Sequence, residues 1–210
     1  MMLTPIPRVE LAGALDRFAA GLAEAGPRAA FARIRATSPD RAAGAAAARH
    51  HAEALAVARH FGVPFYPAGR TCGFNWDGVA LDTASEAYVL LHEVAHFVLA
   101  PPSRRRLAVF GLGPGPDTRD RAAAERAAIL PILEREADEA AASLLGILWE
   151  AELGHPALAS FLDQNWLEGG ERAPAHFVRT LRELARRGFG KPVLGRTIRH
   201  GSANRSRLTR

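Results

Sequence analysis

Leu90-Leu91-His92-Glu93-Val94-Ala95-His96-Phe97-Val98-Leu99 sets the terms for everything around it. In an α-helix, residues four apart lie above one another on the same face. His92 and His96 therefore present two imidazoles to one ion, at metal–nitrogen distances near ~2.1 Å. Glu93 sits about 100° around the helix from His92, where its carboxylate reaches a metal-bound water rather than the metal. The rest of the stretch is apolar, which predicts a buried helix. Unpaired imidazoles and a carboxylate would be costly there. One divalent metal ion gives them a common partner.

A second helix is predicted from Ile132 to Leu153, stopped by Gly154, and it offers the third ligand. Glu134 and Asp138 stand four apart and share a face, so Glu134 is expected to ligate while Asp138 orients a histidine from behind. Glu136 and Glu139 compete for the role. Glu134 is favoured because only it has an acidic partner four residues later. Ala137, Ala140, Ala141 and Ala142 are small enough to let this helix approach the first.

Upstream, Val63–Tyr66 and Val79–Leu81 are short apolar runs bounded by turn residues and read as strands. The N-terminal third reads as Ala-rich helices, broken at Gly26-Pro27 and again before a helix ending near Phe61. Helical patterns also cover Arg121–Ile129, Pro156–Asn165 and Ala175–Arg187. The expected fold is α+β and predominantly helical: a small β-sheet packed on the histidine helix, with a second helix carrying the remaining ligand. Residues 1–190 form one catalytic domain in this reading, with N-terminal helices over 1–61, and 191–210 are a basic, flexible tail.

The chain has 210 residues, of which 48% are hydrophobic, enough for one sizeable core. No run of eighteen apolar residues exists, so no membrane span is expected. Met1–Val9 lacks an apolar stretch of the secretory type. Cys72 is the only cysteine, which excludes an internal disulfide and a thiolate-rich zinc site. A cytoplasmic location follows as the expectation. The net charge of +5 is local: Glu183 is the last acid, and eight Lys or Arg residues follow it. With one lysine in the whole chain and abundant alanine, the arginines read as compositional bias, so nucleic acid is not the expected partner. His50, His51, His60, His155, His176 and His200 read as surface or core-edge histidines.

Two resemblances bear on function. The helix over Glu134–Leu145 resembles the corresponding helix of small ImmA/IrrE-type metallopeptidases, and the ligand pattern is similar to that of gluzincins, within a zincin-like fold. A closer likeness lies in the connecting loop. Arg104-Arg105, Phe110-Gly111, Pro116-Asp117 and Arg119 resemble the loop that follows the histidines in the elongation factor P hydroxylase family. Tyr66-Pro67 upstream, and Leu162-Asp163-Gln164-Asn165 with Arg172, Pro174, Phe177 and Val178 downstream, extend the likeness over roughly residues 62–187. The chain departs from that family at Val109, where an aspartate is usual, and at Gly111-Leu112-Gly113-Pro114, where aromatics are usual.

That resemblance implies a non-heme iron(II) oxygenase with two histidines and one carboxylate, hydroxylating a protein side chain on a partner like elongation factor P. Arg104 and Arg105 are then expected to bind the substrate. The alternative is a zinc-dependent metallopeptidase of gluzincin type, with Glu93 as general base.

Overall fold

The computed structural model describes residues 6–70, 72–115, 118–189 and 194, and all of its regular structure is helical. Eight α-helices occur among these residues: α1 Arg8–Ala20, α2 Ala25–Arg35, α3 Gly44–His60, α4 Ala87–Leu99, α5 Arg121–Ala127, α6 Ile132–Leu153, α7 Ala157–Asp163 and α8 Ala173–Arg186. Short 3₁₀ turns cover Arg104–Arg106, Ala108–Gly111 and Gly170–Arg172. No helix among the described residues is long and apolar enough to cross a membrane.

The expected sheet is absent among the described residues, and the fold is all-α. Val63–Tyr66 and Val79–Leu81 do approach each other, but only isolated bridges form, Phe65 with Leu81 and Trp76 with Leu81. Local chemistry explains why. Pro64 and Pro67 have no N–H to give to a ladder. Asp77 Oδ1 accepts from the Val79 and Ala80 amides at 2.8 and 2.9 Å, curling the chain before a second strand can lengthen. Gly78, at φ +92°, fits under the next loop, where a Cβ would meet Arg106 O at 2.6 Å.

Most helix ends follow the expected signals. Gly62 is left-handed, and Val63 N donates to Ala58 O at 2.9 Å, which closes α3 with a Schellman motif. Ala100 leaves helical geometry before Pro101-Pro102, ending α4. Asp120 caps α5 through Ala123 N. The break between α1 and α2 falls at Gly21–Glu24, earlier than expected. Gly21 is pressed against Pro174 of α8, where a Cβ would lie 2.6 Å from Cγ, while Pro27 is tolerated inside the first turn of α2.

One continuous apolar core runs through the described helices. At one end Phe18, Phe31, Phe161 and Phe177 from α1, α2, α7 and α8 pack at ring separations of 4.6–6.3 Å. Helices α4 and α6 make the most extensive helix pairing and carry the site. The basic tail expected at 191–210 lies outside the described residues, apart from Leu194, which is buried in the core.

Candidate metal centre

Helix α6 can lie against α4 because Gly146 faces its backbone. A Cβ there would stand 3.3 Å from His92 N and 3.4 Å from His92 Cα. This close approach brings one carboxylate onto the histidine face, and it belongs to Glu139. Glu139 Oε2 lies 3.3 Å from both His92 Nε2 and His96 Nε2, and the two nitrogens are 3.0 Å apart. Donors that each sit about 2.1 Å from one ion stand roughly 3.0–3.4 Å from one another, depending on octahedral or tetrahedral arrangement. The three atoms therefore fit a single ion. They form the only such group among the described residues.

Glu134, the carboxylate expected from spacing, is exposed in the first turn of α6, and Glu136 is exposed as well. The helix rotation that buries Ala141, Ala142 and Leu145 against the core aims positions 138 and 139 at α4, leaving 134 near the solvent end.

Asp138 does take the place expected of it, behind His96. Its Oδ2 lies 3.7 Å from His96 Nδ1, an electrostatic contact too long for a hydrogen bond. That nitrogen is buried without a hydrogen-bond partner. Asp138 is held by Arg104, whose Nη2 donates to Oδ2 at 2.5 Å.

Arg104 and Arg105 do not face the pocket as substrate-binding groups. Arg104 Nε also donates to Phe110 O at 2.9 Å. Arg105 Nε donates to Ala100 O at 3.0 Å, its Nη2 reaches Val98 O, and its guanidinium lies over the Phe97 ring. Both arginines satisfy carbonyls that a helix end or a loop leaves free, which is where their charge is most useful in this fold. Pro116-Asp117 lies outside the described residues.

The loop they hold packs under the histidines. Phe110 stacks on His96 at 5.4 Å and on Trp76 at 5.2 Å, and Trp76 Nε1 donates to Arg105 O. Val109 and Phe110 adopt φ of 46° and 53°, a left-handed geometry that costs non-glycine residues roughly 1–2 kcal/mol each. Hydrogen bonds from Val109 N to Trp76 O and from Ile129 N to Gly111 O keep them there.

The electrostatics of the cluster are set by burial and by its closely facing charges. Burial alone would lower the proton affinity of His96. The carboxylates of Glu139, Asp138 and Glu93 outweigh it and raise its pKa to about 10. Burial pushes Glu139 the other way, yet the His96 and His92 charges hold its carboxyl well below the usual range. Glu93 is buried, and desolvation raises its pKa against the pull of both histidines. Asn75 Nδ2 donates weakly to Glu93 Oε1 at 3.4 Å.

His92, His96 and Glu139 line a pocket of about 650 Å³, walled by α4, the 109–115 segment with Thr118, α6 and the 163–168 segment. Glu93, Asn75, Tyr88 and Trp166 also line it. Of the remaining histidines, His50 and His155 are buried in a separate cluster with Glu53 and Glu150.

Among the described residues an all-α fold thus brings two histidines and one carboxylate together in the lining of a pocket, in an arrangement that could hold a metal ion. Comparison of the chain with known protein families, with curated proteins and with solved structures finds no match.

Proposed function

We propose that this protein is a metal-dependent enzyme whose ligands are His92, His96 and Glu139. Its preferred assignment is an iron(II) oxygenase of elongation factor P hydroxylase type, acting on a protein side chain. The observation that carries this reading is convergence. Segments that resemble that family, far apart in sequence, meet at one pocket: Phe110 stacks on His96, and Asp163, Gln164 and Asn165 line the same pocket. The expected substrate contacts from Arg104 and Arg105 are not part of the proposal, since both arginines are committed to the fold.

The iron ion, when bound, supplies positions away from its three ligands at which an oxygen-containing reactant is activated. The remaining work falls to the chain. His92, His96 and Glu139 hold the cation on one side of the pocket. Glu93, buried and with raised proton affinity, carries or accepts a proton next to the reacting atoms. Tyr88 and Trp166 line the pocket, and its volume suits one extended side chain. Dioxygen with two electrons from an external reductant would leave one oxygen atom on the substrate and one in water.

The test is anaerobic purification with metal analysis, then reaction with a candidate protein substrate such as elongation factor P. A product heavier by 16 Da, dependent on iron and oxygen, is the expected result. One observation favours a second reading, a zinc metallopeptidase of gluzincin type: Glu93 stands beside both histidines, where a base for a water nucleophile belongs. Tightly held zinc, with peptide cleavage abolished by Glu93→Gln, would replace the first reading with the second.

A further inference from the structure

Helix α6 places Arg135 one turn before Glu139, at the i, i+4 spacing where opposite charges ordinarily pair along a helix. That pair does not form, because Glu139 Oε2 is turned towards His92 and His96. Among the described residues the Arg135 side chain has no ion pair and no hydrogen bond, and its Nε is buried without a partner. The metal centre has taken its natural counter-ion.

The guanidinium is nevertheless firmly placed. It lies close against Gly113, where a Cβ would meet Nη1 at 2.9 Å, Cζ at 3.1 Å and Nη2 at 3.2 Å. Gly113, at φ +89°, is what leaves room for it. Arg135 and Gly113 both line the pocket, and Arg135 is the only lysine or arginine among its described lining residues. Asp163, an acid of the pocket wall, is already paired with Arg41 at 2.6 Å. Gln164, another lining residue, has its Oε1 buried without a partner. The buried Arg135 Nε and Gln164 Oε1 each carry an unmet hydrogen-bonding cost, and the guanidinium to which Nε belongs has no counter-ion among the described residues.

We propose that Arg135 binds a carboxylate of the ligand that enters beside the metal centre, and that the same ligand donates an N–H or O–H to Gln164. A planar guanidinium matches a carboxylate in two parallel hydrogen bonds. Such a carboxylate belongs either to a small free acid or to an acidic side chain of a peptide. The inference rests on the metal-centre reading and is independent of whether the centre oxidises or hydrolyses.

The test is calorimetric titration of the full-length, zinc-loaded protein, which requires no turnover. The probes are succinate and a blocked Gly-Glu-Gly peptide, with the blocked Gly-Gln-Gly peptide and inorganic phosphate as controls. Binding of succinate or of the glutamate peptide is expected, and which of them binds identifies the source of the carboxylate. Arg135→Gln should weaken that binding at least about tenfold with zinc content unchanged. Arg135→Lys should retain part of it, and Gln164→Leu should weaken it less. The inference is overturned by absence of binding at millimolar probe, by equal affinity in Arg135→Gln, or by loss of zinc in that variant. Phosphate binding as tightly as succinate, with the same dependence on Arg135, would overturn the assignment to a carboxylate. A failure to find any +16 Da product would leave all of these results standing.

Discussion

Two clusters of histidine and glutamate occupy this fold, and they are built from the same chemistry to different ends. In the first, His92, His96 and Glu139 bring three donor atoms within 3.3 Å of one another at the base of a pocket. In the second, His50 and His155 stack ring on ring at 4.0 Å, and each nitrogen turns outward to its own acid. His155 Nε2 meets Glu53 at 2.8 Å, while His50 Nε2 lies 3.2 Å from Glu150 without hydrogen-bond alignment. Burial, with the neighbouring His50 charge adding to it, lowers the proton affinity of His155, whereas that of His96 is raised. The difference teaches that composition does not make a metal site. Convergence of lone pairs on one point does, and stacked rings that diverge into separate contacts hold helices together instead.

The sharpest way to break this contrast is to remove a ligand. His96→Ala should leave no stoichiometric metal after dialysis, measured by elemental analysis. Metal retained at full occupancy would mean the site lies elsewhere. Next in size, Glu139→Ala should weaken metal binding about 100-fold, beyond the range typical of supporting residues. Glu134→Ala should stay within about twofold of the parent, as expected of an exposed side chain away from the site. If the two glutamates exchanged behaviour, the helix rotation described for α6 would be wrong.

Asp138→Asn comes third. Metal affinity should fall about tenfold as His96 loses its anionic neighbour. Stability should fall by about 3 kcal/mol in urea denaturation, because Arg104 is left as a buried charge without a counter-ion. No change in either would reduce Asp138 to filler.

Protonation supplies a fourth comparison. His96 has its pKa raised from 6.5 to about 10 in the metal-free fold, so its contribution is fully present below 6.5 and fades as pH climbs towards 10. Glu139, shifted downward, contributes above its ordinary value and loses that contribution as pH falls. With chelator present, thermal unfolding should therefore move to lower temperature between pH 7 and 10. With metal bound, where the ion replaces the proton, the decline should be much smaller. Identical slopes with and without metal would show that the histidines are not its ligands. Smallest of all should be the effect of His50→Leu on metal content, which ought to be nil. Its cost is to the fold, about 2 kcal/mol, from stranding Glu150 in the core.

Much of the site could be read in advance because it is local. His92 and His96 share a face by helical periodicity, and Glu93 follows from its place between them. Asp138 behind His96 was legible as a partner to that face. The third candidate ligand was not, since choosing among Glu134, Glu136 and Glu139 requires both the rotation of α6 about its axis and its register along α4. That rotation is set by Gly146 and the core face of α6 against α4, a contact between distant parts of the chain. The glycine between Leu145 and Ile147 was the available signal. Arg104 and Arg105 illustrate a different limit. An arginine pair after a metal motif reads equally well as a substrate clamp or as a helix cap, and only the positions of Ala100 O, Phe110 O and Asp138 separate the two.

The sheet failed for a related reason. Short apolar runs at Val63–Tyr66 and Val79–Leu81 satisfy a strand pattern, but pattern says nothing about whether two such runs can lengthen side by side. Prolines and the Asp77 turn stop them after single bridges. Local sequence was enough for most of the helices, for their stops at Gly62, Pro101 and Gly154, and for the paired imidazoles, because these depend on residues within a turn or two. The tertiary structure alone decided which carboxylate completes the centre, which arginine faces the pocket and which histidines merely stack. Those outcomes depend on the angle and rotation at which α4 and α6 pack, and no local spacing encodes them.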